Sequence, residues 1–185
     1  MTVHQDEAPT LVPRDWQLTM LDGVLGTALA AAAVLAALAA GYGPVSTIAV
    51  AACALAAPAL TRIDVSVRRL PNPITLPLLV LGLASALWQL AVGNWAGPVA
   101  ALAITLLLFV MSLAGGMGMG DVKLTGALAL AVAEIAWMPL TGLVASFVSA
   151  GLVGIVALIR GRRRLPFGPF LVAGFAAALA LQLFR

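Results

Sequence analysis

Seven long apolar segments, separated by short runs rich in glycine and proline, constrain this chain more than any other feature of its sequence. A helix needs about 20 mostly apolar residues to cross a bilayer, with about 17 as a practical minimum. Glycine and proline clusters are typical of the turns between such helices. The sequence therefore predicts an all-α polytopic bundle of seven transmembrane helices, at residues 21–41, 44–61, 74–93, 97–114, 121 to about 136, 138–160 and 168–184.

Composition agrees with a membrane protein. Of the 185 residues, 63% are hydrophobic and 9% are charged, which exceeds the apolar share of a soluble domain. The formal charge of +3 raises the question of nucleic acid, but the basic residues lie in short loops between apolar segments. We expect a lipid bilayer as partner and no nucleic acid. The expected organisation is a cytoplasmic tail at residues 1–20 followed by one transmembrane domain at residues 21–185.

The positions of lysine and arginine predict the topology, because cytoplasmic loops collect these residues. If all seven segments cross, nine basic residues fall on one side and only Arg185 on the other. The fifth segment is short and holds Lys123 and Glu134. If it does not cross, six basic residues fall on one side of the membrane and four on the other. Seven crossings with a cytoplasmic N-terminus are therefore predicted. The tail is acidic, unlike a signal peptide, so we expect the first helix to be retained.

Two aspartates lie where apolar segments meet basic or glycine-rich sequence, both on the predicted cytoplasmic side. Asp121 follows the glycine-rich residues 116–120, and Asp64 lies between Arg62 and Arg68. Ionisable groups at membrane depth are costly, which makes these aspartates candidate functional residues. Two carboxylates within a few ångströms cannot both ionise easily and share a proton. One can then accept a proton from water while the other polarises a scissile carbonyl.

The residues alone leave simpler roles open for these side chains. Asp121 could be the N-cap of the helix that starts there, and Asp64 could pair with a nearby arginine. Gly118 and Gly120 would let backbone and substrate approach Asp121, because glycine lacks a Cβ and tolerates positive φ. Lys123 could act on a neighbouring carboxylate or lie at the membrane interface.

The numbers of cysteine and histidine residues exclude two kinds of site. Cys53 is the only cysteine and His4 the only histidine, too few for a disulfide within the chain or a Cys/His zinc site. The main rival to a protease is a small transporter or channel in which the two aspartates relay protons. That function predicts further polar residues deep inside the helices, whereas the segments consist mostly of alanine, leucine, valine and glycine. An inactive membrane scaffold would need neither aspartate.

Three separate segments resemble the motifs of the prepilin peptidases, or type IV leader peptidases, which are membrane aspartyl proteases of the GxGD type. Asp64 followed by the Leu-Pro-Asn triplet at 70–72 is similar to the first motif of this family. Residues 118–124, GMGDVKL, are similar to its GxGD-x-K motif, and residues 164–170, RLPFGPF, to its late Pro-Phe-Gly-Pro-Phe segment. The resemblance runs from about residue 44 to the C-terminus.

The resemblance implies an aspartic endopeptidase of the cytoplasmic membrane that removes the basic leader from prepilin-like substrates, without a metal or organic cofactor. It implies that Asp64 and Asp121 are the catalytic pair. It implies an active-site loop that contains Gly118, Gly120 and Lys123. It also implies a substrate site formed by Pro71, Asn72, Pro166, Phe167 and Gly168. Members that also N-methylate the mature pilin carry an N-terminal helix and a cytoplasmic domain with paired cysteines. This chain is similar to the short, protease-only form.

Overall fold

The computed structural model describes residues 17–115, 117–161 and 165–184. Its α-helices are α1 (Met20–Ala39), α2 (Pro44–Val67), α3 (Asn72–Ala91), α4 (Ala96–Leu113), α5 (Met119–Ala131), α6 (Met138–Ile159) and α7 (Gly168–Ala180), with a 3₁₀ helix at Leu181–Phe184. The prediction of an all-α polytopic bundle is confirmed. The helices α1, α2, α3, α4 and α6 are long and apolar enough to cross a membrane, whereas α5 and α7 are shorter. Most of the predicted tail and part of the arginine cluster before α7 lie outside the described residues.

Contacts between connecting segments show that successive helices run in opposite directions. At one end of the bundle, the backbone N–H of Gly43 donates to both carboxylate oxygens of Glu134, at 2.9 and 3.0 Å. Asn94, between α3 and α4, donates to the backbone carbonyl of Glu134 at 2.8 Å. At the other end, Lys123 near the start of α5 donates to Asn72 at the start of α3. The chain from α5 to Glu134 therefore runs from one end of the bundle to the other, as seven crossings require.

The helix α5 is the centre of the bundle. Val122 and every residue from 124 to 133 are buried, and α5 contacts α2, α3, α4, α6 and α7. Gly82 lets α3 pack closely here, because an added Cβ would lie 3.0 Å from the carbonyl oxygen of Ala127. The 13 residues of α5 span about 20 Å, less than the roughly 30 Å hydrocarbon core. A helix enclosed by protein does not have to match that thickness, since its neighbours shield it from lipid.

Two helices differ from their predicted bounds in a way that affects the aspartates. The helix α2 continues to Val67 rather than ending at residue 61, because neither glycine nor proline interrupts the chain before Pro71. It ends where Arg68 adopts the left-handed conformation, with φ 54°. Asp64 thus lies inside the end of α2. The helix α5 begins at Met119 and ends at Ala131, so the predicted span of 121 to about 136 is displaced and too long.

Glycine contacts in α6 agree only in part with the sequence. Gly142, Gly151 and Gly154 all suggest close helix contacts there. An added Cβ at Gly142 would meet the ring of Phe175 in α7, which confirms the first. Within the described residues, an added Cβ at Gly151 would meet nothing within 4 Å and one at Gly154 would meet only Leu165 at 3.6 Å, so no close packing is found at these two positions.

Buried polar side chains hold the end of the bundle that is remote from the aspartates. Ser46 in α2 accepts a hydrogen bond from Gln89 in α3 at 2.9 Å, and the Tyr42 hydroxyl donates to the carbonyl of Val132 at 3.0 Å. Burial raises the pKa of the Tyr42 hydroxyl, and the nearby Glu134 carboxylate adds to the effect. Tyr42 therefore stays protonated as a donor. The two contacts join α2 to α3, and the connection between α1 and α2 to the end of α5.

Candidate active site

Asp64 and Asp121 line one cavity of about 600 Å³ between the end of α2 and the starts of α3 and α5. The cavity is lined by Asp64, Arg68, Arg69, Leu70, Asn72, Pro73, Gly118, Met119, Gly120, Asp121 and Lys123. The structure thus brings together the two aspartates and the glycine-rich turn that the sequence singles out. A second, smaller cavity of about 250 Å³ is almost wholly apolar and touches none of these residues.

The carboxylate of Asp64 is held on one side and open on the other. Asp64 is buried, and its Oδ2 accepts a hydrogen bond of 2.8 Å from the backbone N–H of Gly168, the first residue of α7. Within the described residues, Oδ1 has no donor. Because no buried side-chain oxygen of this part of the chain lacks a partner, Oδ1 must be in contact with solvent. Asp64 therefore has one carboxylate oxygen without a donor in the described residues, and the residue lines the cavity.

Asp121 lies in the first turn of α5 and does not cap the helix. The N-cap is Gly118, without a side-chain capping bond. The N-cap explanation for Asp121 is therefore wrong. Within the described residues, no group donates a hydrogen bond to its carboxylate, while its backbone carbonyl accepts one of 2.8 Å from Thr125. The side chain of Asp121 is thus available for chemistry in the cavity.

The two glycines before Asp121 provide space rather than an unusual backbone conformation. An added Cβ at Gly118 would lie 3.2 Å from Oδ2 of Asp121, and one at Gly120 would lie 3.0 Å from Cβ of Leu70. Neither glycine has a positive φ. The close approach of the backbone to Asp121 is found at Gly118, and the tolerance of glycine for positive φ is not used at either position.

An ion pair near Asp64 involves a different aspartate. Arg62 binds Asp22 of α1, with an Nη2–Oδ2 distance of 2.9 Å, while Asp64 forms no ion pair within the described residues. Asp22 also completes a capping box with Thr19. The Thr-x-x-Asp spacing contains the signal for this cap. The contact with Arg62, across 40 positions of sequence, leaves no such local signal.

The remaining predicted site residues occupy different positions. Lys123 lines the cavity, and its Nζ donates to Oδ1 of Asn72 at 2.9 Å. Of the predicted substrate-site residues, only Asn72 lines the cavity. Pro71 is the buried N-cap of α3, and the ring of Phe167 packs edge-on against Phe147 of α6 at 5.2 Å. Neither Pro166 nor Gly168 reaches the cavity wall, although Gly168 binds Asp64 from behind.

Within the described residues, no group of three or more histidine, cysteine, aspartate or glutamate side chains is arranged to hold a metal ion. Asp64 and Asp121 are the acidic side chains that line the cavity in this part of the chain. Two carboxyl groups with access to solvent can activate water and protonate a carbonyl oxygen.

Comparison with known proteins agrees with this site. The sequence model of the type IV leader peptidase family matches residues 48–159, which include both aspartates. A prepilin leader peptidase/N-methyltransferase of Burkholderia pseudomallei is 41% identical over 166 residues, covering 82% of this chain and 52% of the relative. One of Aeromonas hydrophila is 34% identical over 167 residues, covering 83% and 55%.

The chain spans about half the length of these curated relatives. No solved structure matches it. The family match covers more than half of the chain, and the Burkholderia relative is aligned along most of it. The chain therefore belongs to the type IV leader peptidase family.

Proposed function

We propose that this multi-pass membrane protein is an aspartic endopeptidase that removes the basic leader from prepilin-like precursors. The observation that carries the proposal is the single cavity lined by Asp64 and Asp121, at the end of the bundle where α2 ends and α5 begins. Family membership supports the substrate class.

In the proposed reaction, one carboxylate takes a proton from water and the other, protonated, donates its proton to the scissile carbonyl oxygen. Water oxygen bonds to the carbonyl carbon. Collapse of the tetrahedral intermediate breaks the C–N bond, and the leaving nitrogen takes up a proton. A hydrogen bond from a backbone N–H stabilises the ionised form of a carboxyl group. In the described residues a backbone N–H donates to the carboxylate of Asp64, whereas none donates to that of Asp121. We therefore assign the base to Asp64 and the acid to Asp121.

The proposed orientation places this site at the cytoplasmic surface. Both aspartates lie at the same end of the bundle as the start of α1, which the ion pair between Asp22 and Arg62 attaches to α2. Nine of the ten basic residues fall on this side when all seven segments cross, which is the charge distribution of a cytoplasmic face. The leader of a prepilin-like substrate would thus be removed on the cytoplasmic side of the membrane.

Proteolysis without N-methylation is the proposed activity of this chain. Its relatives are named as both leader peptidases and N-methyltransferases, whereas this chain holds a single cysteine. The two-aspartate site accounts for hydrolysis by itself.

A proton relay across the bundle receives little support from the central helix. Between Asp121 and Glu134, the buried residues of α5 are apolar except for Thr125, whose hydroxyl is bonded to the backbone. Relays need successive exchangeable groups. The protease therefore remains the proposed function.

Cleavage of a purified precursor tests the proposal. The protein, in phospholipid vesicles, is incubated with a prepilin-like precursor that carries a basic leader, and the N-terminus of the product is sequenced. We expect one cut between the leader and the mature hydrophobic segment. A precursor that stays intact, under conditions where the enzyme is folded, would contradict the proposal.

A further inference from the structure

We propose that Gly168, at the start of α7, is a positioning residue that fixes the carboxylate of Asp64, an inference that rests on the proposed peptidase function. Gly168 lies outside residues 48–159, which carry the family match. It nevertheless contacts Asp64 across 104 positions of sequence. This contact makes the seventh helix part of the active site.

The contact leaves no room for a larger residue. The three nearest atoms to an added Cβ at Gly168 all belong to Asp64, with Oδ2 at 2.9 Å, Cγ at 3.2 Å and Cβ at 3.3 Å. Gly168 does not have a positive φ, so an alanine would meet no backbone strain. Glycine is therefore required here for space, because it lets the backbone N–H approach Oδ2 to 2.8 Å.

The start of α7 cannot easily move away from Asp64. The ring of Phe167, the N-cap residue of α7, packs edge-on against Phe147 of α6 at a centroid distance of 5.2 Å. Further along, Gly174 packs against Ser146 so closely that an added Cβ would overlap it. Because α7 is docked on α6 at both points, a side chain at 168 would displace the carboxylate of Asp64 rather than the helix.

The positioning role follows from what each oxygen of Asp64 does. Oδ2 is held by the Gly168 N–H, while Oδ1 is open to solvent. The hydrogen bond holds one oxygen of the Asp64 carboxylate, and Asp64 lines the same cavity as Asp121. Arg68, Arg69 and Lys123 line the same cavity, but none of them donates a hydrogen bond to Asp64 in the described residues. Gly168 is the group that sets the orientation.

The test compares Gly168→Ala with Gly151→Ala in vesicles, with wild type and Asp64→Asn in the same series. Gly151 is also a helical glycine without positive φ, but an added Cβ there meets nothing within 4 Å. Misplacing a catalytic group by about 1 Å costs on the order of 100-fold in rate. We expect Gly168→Ala to lower kcat by that order with KM changed less than about twofold, and Gly151→Ala to match wild type. Thermal unfolding measures the folded fraction of each variant.

A second variant keeps the test decisive if Gly168→Ala does not fold. Phe147→Ala removes the ring that supports Phe167 without touching either aspartate, and we expect it to lower kcat by more than about threefold at unchanged KM. The inference would be overturned if Gly168→Ala folds and has the kcat of wild type. If Gly168→Ala does not fold, a wild-type kcat for Phe147→Ala would overturn it. A wild-type protein that does not cleave the precursor would overturn both the proposed function and this inference. If wild type is active and Asp64→Asn is inactive, the proposed function stands whatever the activity of Gly168→Ala.

Discussion

The Nζ of Lys123 donates a hydrogen bond of 2.9 Å to Oδ1 of Asn72, and this contact joins the first turn of α5 to the first turn of α3 beside the cavity. One turn earlier, Gly120 packs against Leu70 in the connection between α2 and α3. The start of α5, which carries Asp121, is thus attached at two points to the segment that follows Asp64. The relative position of the two carboxylates depends on these attachments.

Lys123→Met and Asn72→Ala should each slow cleavage, because each removes one partner of this hydrogen bond. Such a bond contributes about 1 kcal/mol, so we expect a loss of roughly fivefold in kcat/KM for each variant. The double variant should lose little more than either single variant, since both remove the same contact. A double-mutant cycle of cleavage rates measures this coupling. Fully additive losses would show that Lys123 acts separately from Asn72.

Asp64→Asn and Asp121→Asn should each abolish cleavage while the protein remains inserted in the membrane. Each removes either the base or the acid, and general acid–base catalysis contributes on the order of 10² to 10⁴ in rate. Asp22→Asn is the matched control, because Asp22 is also buried but pairs with Arg62 away from the cavity. Precursor cleavage followed on gels distinguishes them. Substantial processing by either of the first two variants would disprove the proposed pair.

The parts of the structure that follow from the sequence are those that a local sequence pattern determines. Apolar segments bounded by glycine and proline gave all seven helices, because a lipid-facing helix needs a continuous apolar run. Motif spacing singled out Asp64 and Asp121, which the fold brings to one cavity. The true end of α2 was missed, because the polar residues after Thr61 resemble a loop although no glycine or proline stops the helix there.

Contacts between residues far apart in sequence were not predictable in the same way. The motif resemblance predicts a substrate-site role for the segment containing Gly168 but gives no sign that its backbone N–H binds Asp64. Nothing in the local sequence specifies which helix start packs behind an aspartate in another helix. The ion pair between Asp22 and Arg62 was equally unpredictable. In the sequence, Asp22 is sufficiently explained as an acidic residue in the first turn of a helix.

Asp22→Ala should lower stability without changing the chemistry. The carboxylate of Asp22 is buried and accepts hydrogen bonds from Thr19 and Arg62. Because the Arg62 side chain is 35% exposed and can be rehydrated, we expect a loss of only about 1 kcal/mol in the free energy of unfolding. Thermal unfolding in detergent and cleavage per folded molecule are the measurements. A loss of kcat in fully folded protein would show that α1 contributes to the active site.

Cysteine labelling should place the two ends of the bundle on opposite sides of the membrane. In a Cys53→Ala background, single cysteines at Arg69 and Gly161 should react with an impermeant reagent only from the cytoplasmic side. A cysteine at Asn94 should react only from outside, because Asn94 lies at the opposite end of the bundle. Labelling at Gly161 from outside would show that the fifth segment does not cross.

The chain should cleave a prepilin-like precursor in the presence of a metal chelator and without S-adenosylmethionine, and the new N-terminus should remain unmethylated. The physical reason is that an aspartate pair activates water without a metal, and the single cysteine, Cys53, is buried in α2. Mass spectrometry of the mature N-terminus, with this protein as the only processing enzyme and S-adenosylmethionine then added, measures both activities. Cleavage lost on chelation and restored by zinc, or a mass increase of one methyl group, would show that the site does more than the two aspartates explain.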